Sequence, residues 1–189
     1  MNAEGYLDGC DGCEISQGRG GVNERGGVIP LPGGWIVNHY DVDEGFLGYL
    51  ALQTCKHRAD FAELLTNEAV ALGGNIKDIH MVLHDYWSQN FPGDPLERVY
   101  VVYFSEALPP HLHFHIIPRT KRIKEMELKT KILSQEEEIE GGSFKCEGWK
   151  IYLVPKCKDI PPEYVTKKGK NKRKLLKLME YIKSKLSVG

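Results

Sequence analysis

Hydrophobic and polar positions alternate most sharply in His111-Leu112-His113-Phe114-His115-Ile116-Ile117. Period two is the pattern of a half-buried strand, on which Leu112, Phe114 and Ile116 turn to one face and the three imidazoles to the other. Other apolar runs read as strands over Trp35-Ile36-Val37-Asn38, Leu47 to Leu52 and Arg98 to Phe104. The short connection 105–110 folds the last of these back onto the histidine strand, which predicts an antiparallel hairpin at the centre of a sheet. Helical spacing replaces alternation between these runs. Phe61, Leu64, Leu65, Ala69 and Leu72 predict an amphipathic helix with Asp60 as its N-cap and Gly73-Gly74 as its end. Ile76, Ile79, His80, Leu83 and Trp87 predict a second. Beyond Arg119 the pattern weakens to one further strand, Trp149 to Val154, and a stripe of Leu175, Met179, Ile182 and Leu186 on a C-terminal helix.

The 189 residues suffice for one domain and an appendage, and 41% hydrophobic with 27% charged residues is ordinary for a soluble globular chain. No apolar run is long enough to span a bilayer and the N-terminus lacks a secretory pattern, so a cytoplasmic protein is expected. Five cysteines without framework spacing argue against disulfides. The net charge of -1 conceals a basic tail, since nine Lys/Arg and one Glu follow Thr166. Such a helix can dock on its own domain, which is the simpler expectation, or on a partner, a membrane surface or nucleic acid.

Cys10-Asp11-Gly12-Cys13 lies in a Gly- and Asp-rich segment. A Cys-x-x-Cys turn supplies two thiolates to a metal, which needs two more ligands; a redox pair is the rival, but it belongs at a strand-to-helix junction. His80 and His84 also have a metal-compatible i, i+4 spacing, yet no acid follows His80, so a core or surface role is expected.

The His-φ-His-φ-His-φ-φ motif, with Pro118-Arg119 after it, resembles the histidine triad (HIT) family of nucleotide hydrolases and transferases, over about residues 8 to 122. The resemblance implies an α+β HIT-like fold with a five- or six-stranded antiparallel sheet and two helices. It implies a HIT domain over 1–122 and a C-terminal extension over 123–189, strand plus basic helix, packed on it. Lys56-His57 is similar to the pair that zinc-containing members place after their second strand, so the implied structural Zn²⁺ ligands are Cys10, Cys13, His57 and His111. His113 is implied as the nucleophile and His115 as the group beside the phosphate. Asp41 is implied at the ribose, and Ser105 and Glu106 stand where members carry polar substrate-facing residues. Gly48-Tyr49 occupies a place where many members carry a Gly and a further histidine that contacts phosphate or leaving group. A tyrosine donates a hydrogen bond there but does not carry a proton at neutral pH.

The function so implied is hydrolysis of dinucleoside polyphosphates or nucleoside phosphoramidates through a nucleotidyl-histidine intermediate, in a homodimer with a continuous sheet. Related uridylyltransferases have Gln at the third histidine, so His115 points to hydrolysis. The alternatives are a nucleotidyltransferase, a nucleotide- or RNA-binding module with little turnover, and a zinc-stapled protein-interaction domain.

Overall fold

A computed structural model describes residues 5–40, 47–103, 108–122, 163–166 and 171–186. It is an α+β architecture whose five strands, β1 (Val28–Leu31), β2 (Trp35–His39), β3 (Leu50–Thr54), β4 (Leu96–Tyr103) and β5 (His113–Thr120), form one antiparallel sheet. The spatial order is β1-β2-β3-β5-β4. The helices are α1 (Asp11–Ser16), α2 (Thr66–Asn90) and α3 (Lys172–Leu186).

The alternation read from the sequence decides which face of the sheet is covered. Ile29, Val37, Leu50, Leu52, Leu112 and Ile116 are fully buried and belong to one core with Ile79, Leu83 and Trp87 of α2. Leu175, Leu178, Met179 and Ile182 of α3 join the same core. The C-terminal helix therefore docks on its own domain. Polar ties reinforce that docking: Tyr181 donates to Asp85 of α2, and Lys177 Nζ donates to Asn90 Oδ1 at 3.1 Å. Its lysines are left to the outer face, and no described helix is long and apolar enough to cross a membrane.

Several boundaries differ from the sequence reading. The two expected helices are one helix of 25 residues that runs through Gly73-Gly74. Neither glycine has a positive φ, and neither approaches another group, so nothing ends the helix there. Each costs about 1 kcal/mol relative to Ala, which burial of one continuous apolar face offsets. Asp60 caps a separate 3-10 turn, Phe61–Glu63, accepting from Ala62 N at 2.9 Å. The α2 start is capped instead by Glu68, whose carboxylate accepts from Leu65 N at 2.7 Å. That carboxylate also binds Arg58 in a fork, at 2.9 and 3.0 Å.

The β4–β5 hairpin is antiparallel as expected, but it lies at one side of the sheet with β4 last, not at the centre. Strand β1 is not among the strands read from the sequence; it contains Pro30 and sits at the opposite edge, where a missing N–H is tolerated. The cysteine segment, expected as loop, contains the six-residue α1. The strand predicted over 149–154 lies outside the described residues.

Candidate functional site

Three connections converge at the start of β5. The α1 turn brings Cys10 and Cys13, the segment after β3 brings His57, and His111 stands two residues before β5. All four are buried, and their ligand atoms lie within 4.8 Å of one another. Cys10 Sγ is 3.3 Å from His111 Nδ1, and Cys13 Sγ is 3.6 Å from both His111 Nδ1 and His57 Nδ1. Among the described residues this is the sole group of three or more such donors, so His80 and His84 gather no third partner.

Surrounding groups aim these donors. His111 Nε2 donates to the Thr54 carbonyl at 2.9 Å, which leaves the Nδ1 lone pair facing the sulfurs. Leu7 N donates to Cys13 Sγ at 3.3 Å, and Arg58 Nη1 donates to the His57 carbonyl at 2.9 Å. Gly12 is required by packing: a Cβ there would meet His111 Cγ at 2.4 Å. Burial, and then the neighbouring Cys10, push the Cys13 thiol up to about 11. Burial also brings His111 down to about 4, against its bond to Thr54. Two buried thiols and two neutral imidazoles form a donor set that a cation completes, since its charge lets the thiols ionise. The four residues can hold one metal ion.

The other two triad histidines continue along β5. His113 Nδ1 donates to the His111 carbonyl at 2.7 Å, which leaves Nε2 as its other ring nitrogen. That Nε2 is 3.2 Å from His115 Nε2, and His115 Nδ1 is 2.8 Å from the Tyr49 hydroxyl. His115 is 2% exposed, and burial followed by the nearby His113 lowers its pKa to about 4. Tyr49, implied as a substrate contact, is thus placed behind His115 and is itself buried. Gly48 permits that placement: its φ is +81°, and a Cβ would lie 2.7 Å from the Trp87 ring.

Register sets what lies beside the histidines. Gln53 is the β3 partner of His113, and Ala51 that of His115. Gln53 Nε2 donates to Gly12 O at 2.7 Å and Ser16 Oγ at 3.1 Å, which ties α1 to the strand beside His113. Asn38 pairs with Ala51 and therefore shares the histidine face; its Nδ2 is buried without a hydrogen-bond partner among the described residues. Tyr40 stacks on Tyr49 with centroids 4.8 Å apart and meets His115 edge-on at 4.9 Å. Sequence reasoning missed Asn38, Tyr40 and Gln53, since only strand register puts them beside the triad. Asp41, Ser105 and Glu106 lie outside the described residues.

No protein-family model matches the chain, and no curated protein matches it.

Chemically, the pair offers two Nε2 atoms 3.2 Å apart, on rings held at Nδ1 by the His111 carbonyl and the Tyr49 hydroxyl. That is the equipment for attack on an electrophilic phosphorus and for contact with its oxygens.

Proposed function

We propose that this chain is a nucleotide phosphohydrolase of the histidine triad type, acting on phosphorus bonds of nucleotides through a covalent intermediate on His113. The observation that carries the reading is the 2.7 Å bond from His113 Nδ1 to the His111 carbonyl, which holds the ring and leaves Nε2 as the nitrogen for attack. An alternating histidine motif on a surface needs no such arrangement.

His113 attacks the α-phosphorus, and the nucleotidyl group it takes is then released to water. His115 stabilises the developing charge on the phosphoryl oxygens. Asn38 offers a further donor on the same face. Asp41 remains the ribose contact that the resemblance implies, with Ser105 and Glu106 as its candidates for a phosphate or ribose contact.

The metal is proposed to be zinc. Tetrahedral Zn–S and Zn–N bonds of about 2.3 and 2.05 Å place sulfur and nitrogen ligands about 3.6 Å apart. Three of the four sulfur–nitrogen separations are 3.3, 3.6 and 3.6 Å, and the fourth lies within 4.8 Å. With four protein donors the site is structural: zinc ties α1 to the strand that carries His113. The proposed oligomer is a homodimer with a continuous sheet, for which β4 ends the described sheet.

Mass spectrometry of the protein incubated with diadenosine tetraphosphate, beside His113→Ala, tests the reading. A mass gain of one adenylyl group on the unmutated protein only, with release of free nucleotide, is expected. Binding of the nucleotide without adduct or product would replace the hydrolase by a nucleotide-binding module.

A further inference from the structure

Tyr49 owes its place behind His115 partly to the C-terminal segment, and what this means for catalysis rests on the hydrolase reading above. Strand β3 starts at Leu50, where its pairing with β5 also begins, so that pairing does not hold Tyr49. One backbone bond reaches it from the end of β2, with Tyr40 N donating to Tyr49 O at 2.8 Å. The residue before it is Gly48, at φ +81°, and a glycine by itself directs the next residue least. The second tie lies just beyond that glycine: Leu47 N donates to the Tyr164 carbonyl at 2.8 Å.

Tyr164 is anchored in turn. It is fully buried, stacked on Trp87 with centroids 6.3 Å apart and 5.4 Å from the Phe91 ring. Trp87 is also the ring against which Gly48 is pressed. The Tyr164 hydroxyl donates to the carboxylate of Asp94, which is 4% exposed. That carboxylate accepts as well from Arg122 N, two residues past β5, at 2.9 Å, and the Arg122 side chain pairs with Glu163. One buried acid thus fastens the C-terminal segment to the exit of the histidine strand. The carbonyl of that segment then fastens the approach to Tyr49.

We propose that Tyr164 is a positioning residue of the histidine site: seated on Trp87 and Asp94, it holds Leu47-Gly48-Tyr49 so that the Tyr49 hydroxyl stays against His115 Nδ1. The C-terminal extension is thereby a working part of the hydrolase. Tyr164 contributes no reacting group. It sets the ring whose Nε2 lies 3.2 Å from His113 Nε2, and a misplacement of about 1 Å in such a pair costs about 100-fold in rate.

The test is a double-mutant cycle on the metal-loaded protein, reading kcat and KM with diadenosine tetraphosphate. Tyr164→Ala unseats the segment and should lower kcat by about 100-fold, with KM changing less. Tyr164→Phe keeps the stack and loses only the bond to Asp94; it should lower kcat by about 10-fold, and it serves if the alanine variant does not fold. In a Tyr49→Phe background the hydroxyl is already gone, so neither change at Tyr164 should lower kcat much further. Ile29→Ala, at a fully buried position on the edge strand β1, is the control for lost stability: Tm should fall and kcat should stay. Nitrogen NMR of the His115 ring reads the position directly, and Tyr164→Phe should move the Nδ1 resonance in the direction that Tyr49→Phe moves it. Additive losses in the cycle, or a His115 resonance unmoved in folded Tyr164→Phe, would overturn the inference and leave the hydrolase standing. Absence of turnover and of adduct in the unmutated protein would overturn the hydrolase reading, and with it the catalytic role given to Tyr164.

Discussion

Gly12→Ala should release the metal without touching a ligand. The added methyl would fall 2.4 Å from His111 Cγ and 2.7 Å from Nδ1. Ordinary carbon contacts begin about 1 Å further out. The imidazole cannot give way, since Nε2 is held by the Thr54 carbonyl at 2.9 Å and Nδ1 faces Cys10 Sγ at 3.3 Å. The strain therefore falls on α1, and moving α1 moves both sulfurs. Overpacking of this kind costs about 2 kcal/mol, which is about 30-fold in metal affinity if it is expressed there. Gly9→Ala is the control: its φ of +74° makes any side chain strained, but nothing lies within 4 Å of the new methyl. It should cost about 1 kcal/mol of stability and leave affinity within about threefold. Competition with a chromophoric zinc chelator measures both. Gly12→Ala binding zinc as tightly as the unmutated protein would refute the close approach of α1 to His111 as the support of the site.

Three further outcomes are expected. Glu68→Gln removes the carboxylate that both caps α2 and forks onto Arg58; with Glu68 3% exposed, about 3 kcal/mol should be lost, lowering Tm by roughly 6–12 °C, and an unchanged Tm would show the pair to be idle. Leu178→Ala, at a fully buried position on α3, should cost about 3 kcal/mol in urea unfolding, whereas a helix held out for nucleic acid would tolerate it. In chelator-treated protein the depressed pKa values of His111 and His115 mean that the unfolded state binds protons the folded state refuses; stability should therefore hold above pH about 6.5 and fall as the pH drops toward about 4, by up to about 3 kcal/mol for each, a loss roughly halved in His115→Gln and measurable by thermal melts across that window.

The strands were largely legible because burying one sheet face forces alternation, and Leu112, Phe114 and Ile116 carry it plainly. The helix break placed at Gly73-Gly74 was an error of local reasoning: a glycine ends a helix only where the chain uses its left-handed conformation, and here the apolar face continues past it. Strand β1 is harder to read locally, since whether its Pro30 is tolerated depends on the strand being at an edge. Within the site, resemblance grouped Cys10, Cys13, His57 and His111 before any geometry was in hand, and the fold brings their ligand atoms together.

Sequence by itself determined the residue types, the period-two strand and the Cys-x-x-Cys turn, all of which depend on neighbours in the chain. Only the tertiary structure decided how the rings are held. Which nitrogen of His111 faces the sulfurs depends on Thr54, and which nitrogen of His113 faces His115 depends on the 2.7 Å approach of its Nδ1 to the His111 carbonyl. That Tyr49 stands behind His115 depends on how the strands pair and on a glycine pressed against Trp87. Tyr49 and His115 meet within a hydrogen bond although they are 66 positions apart, a separation that no local pattern encodes.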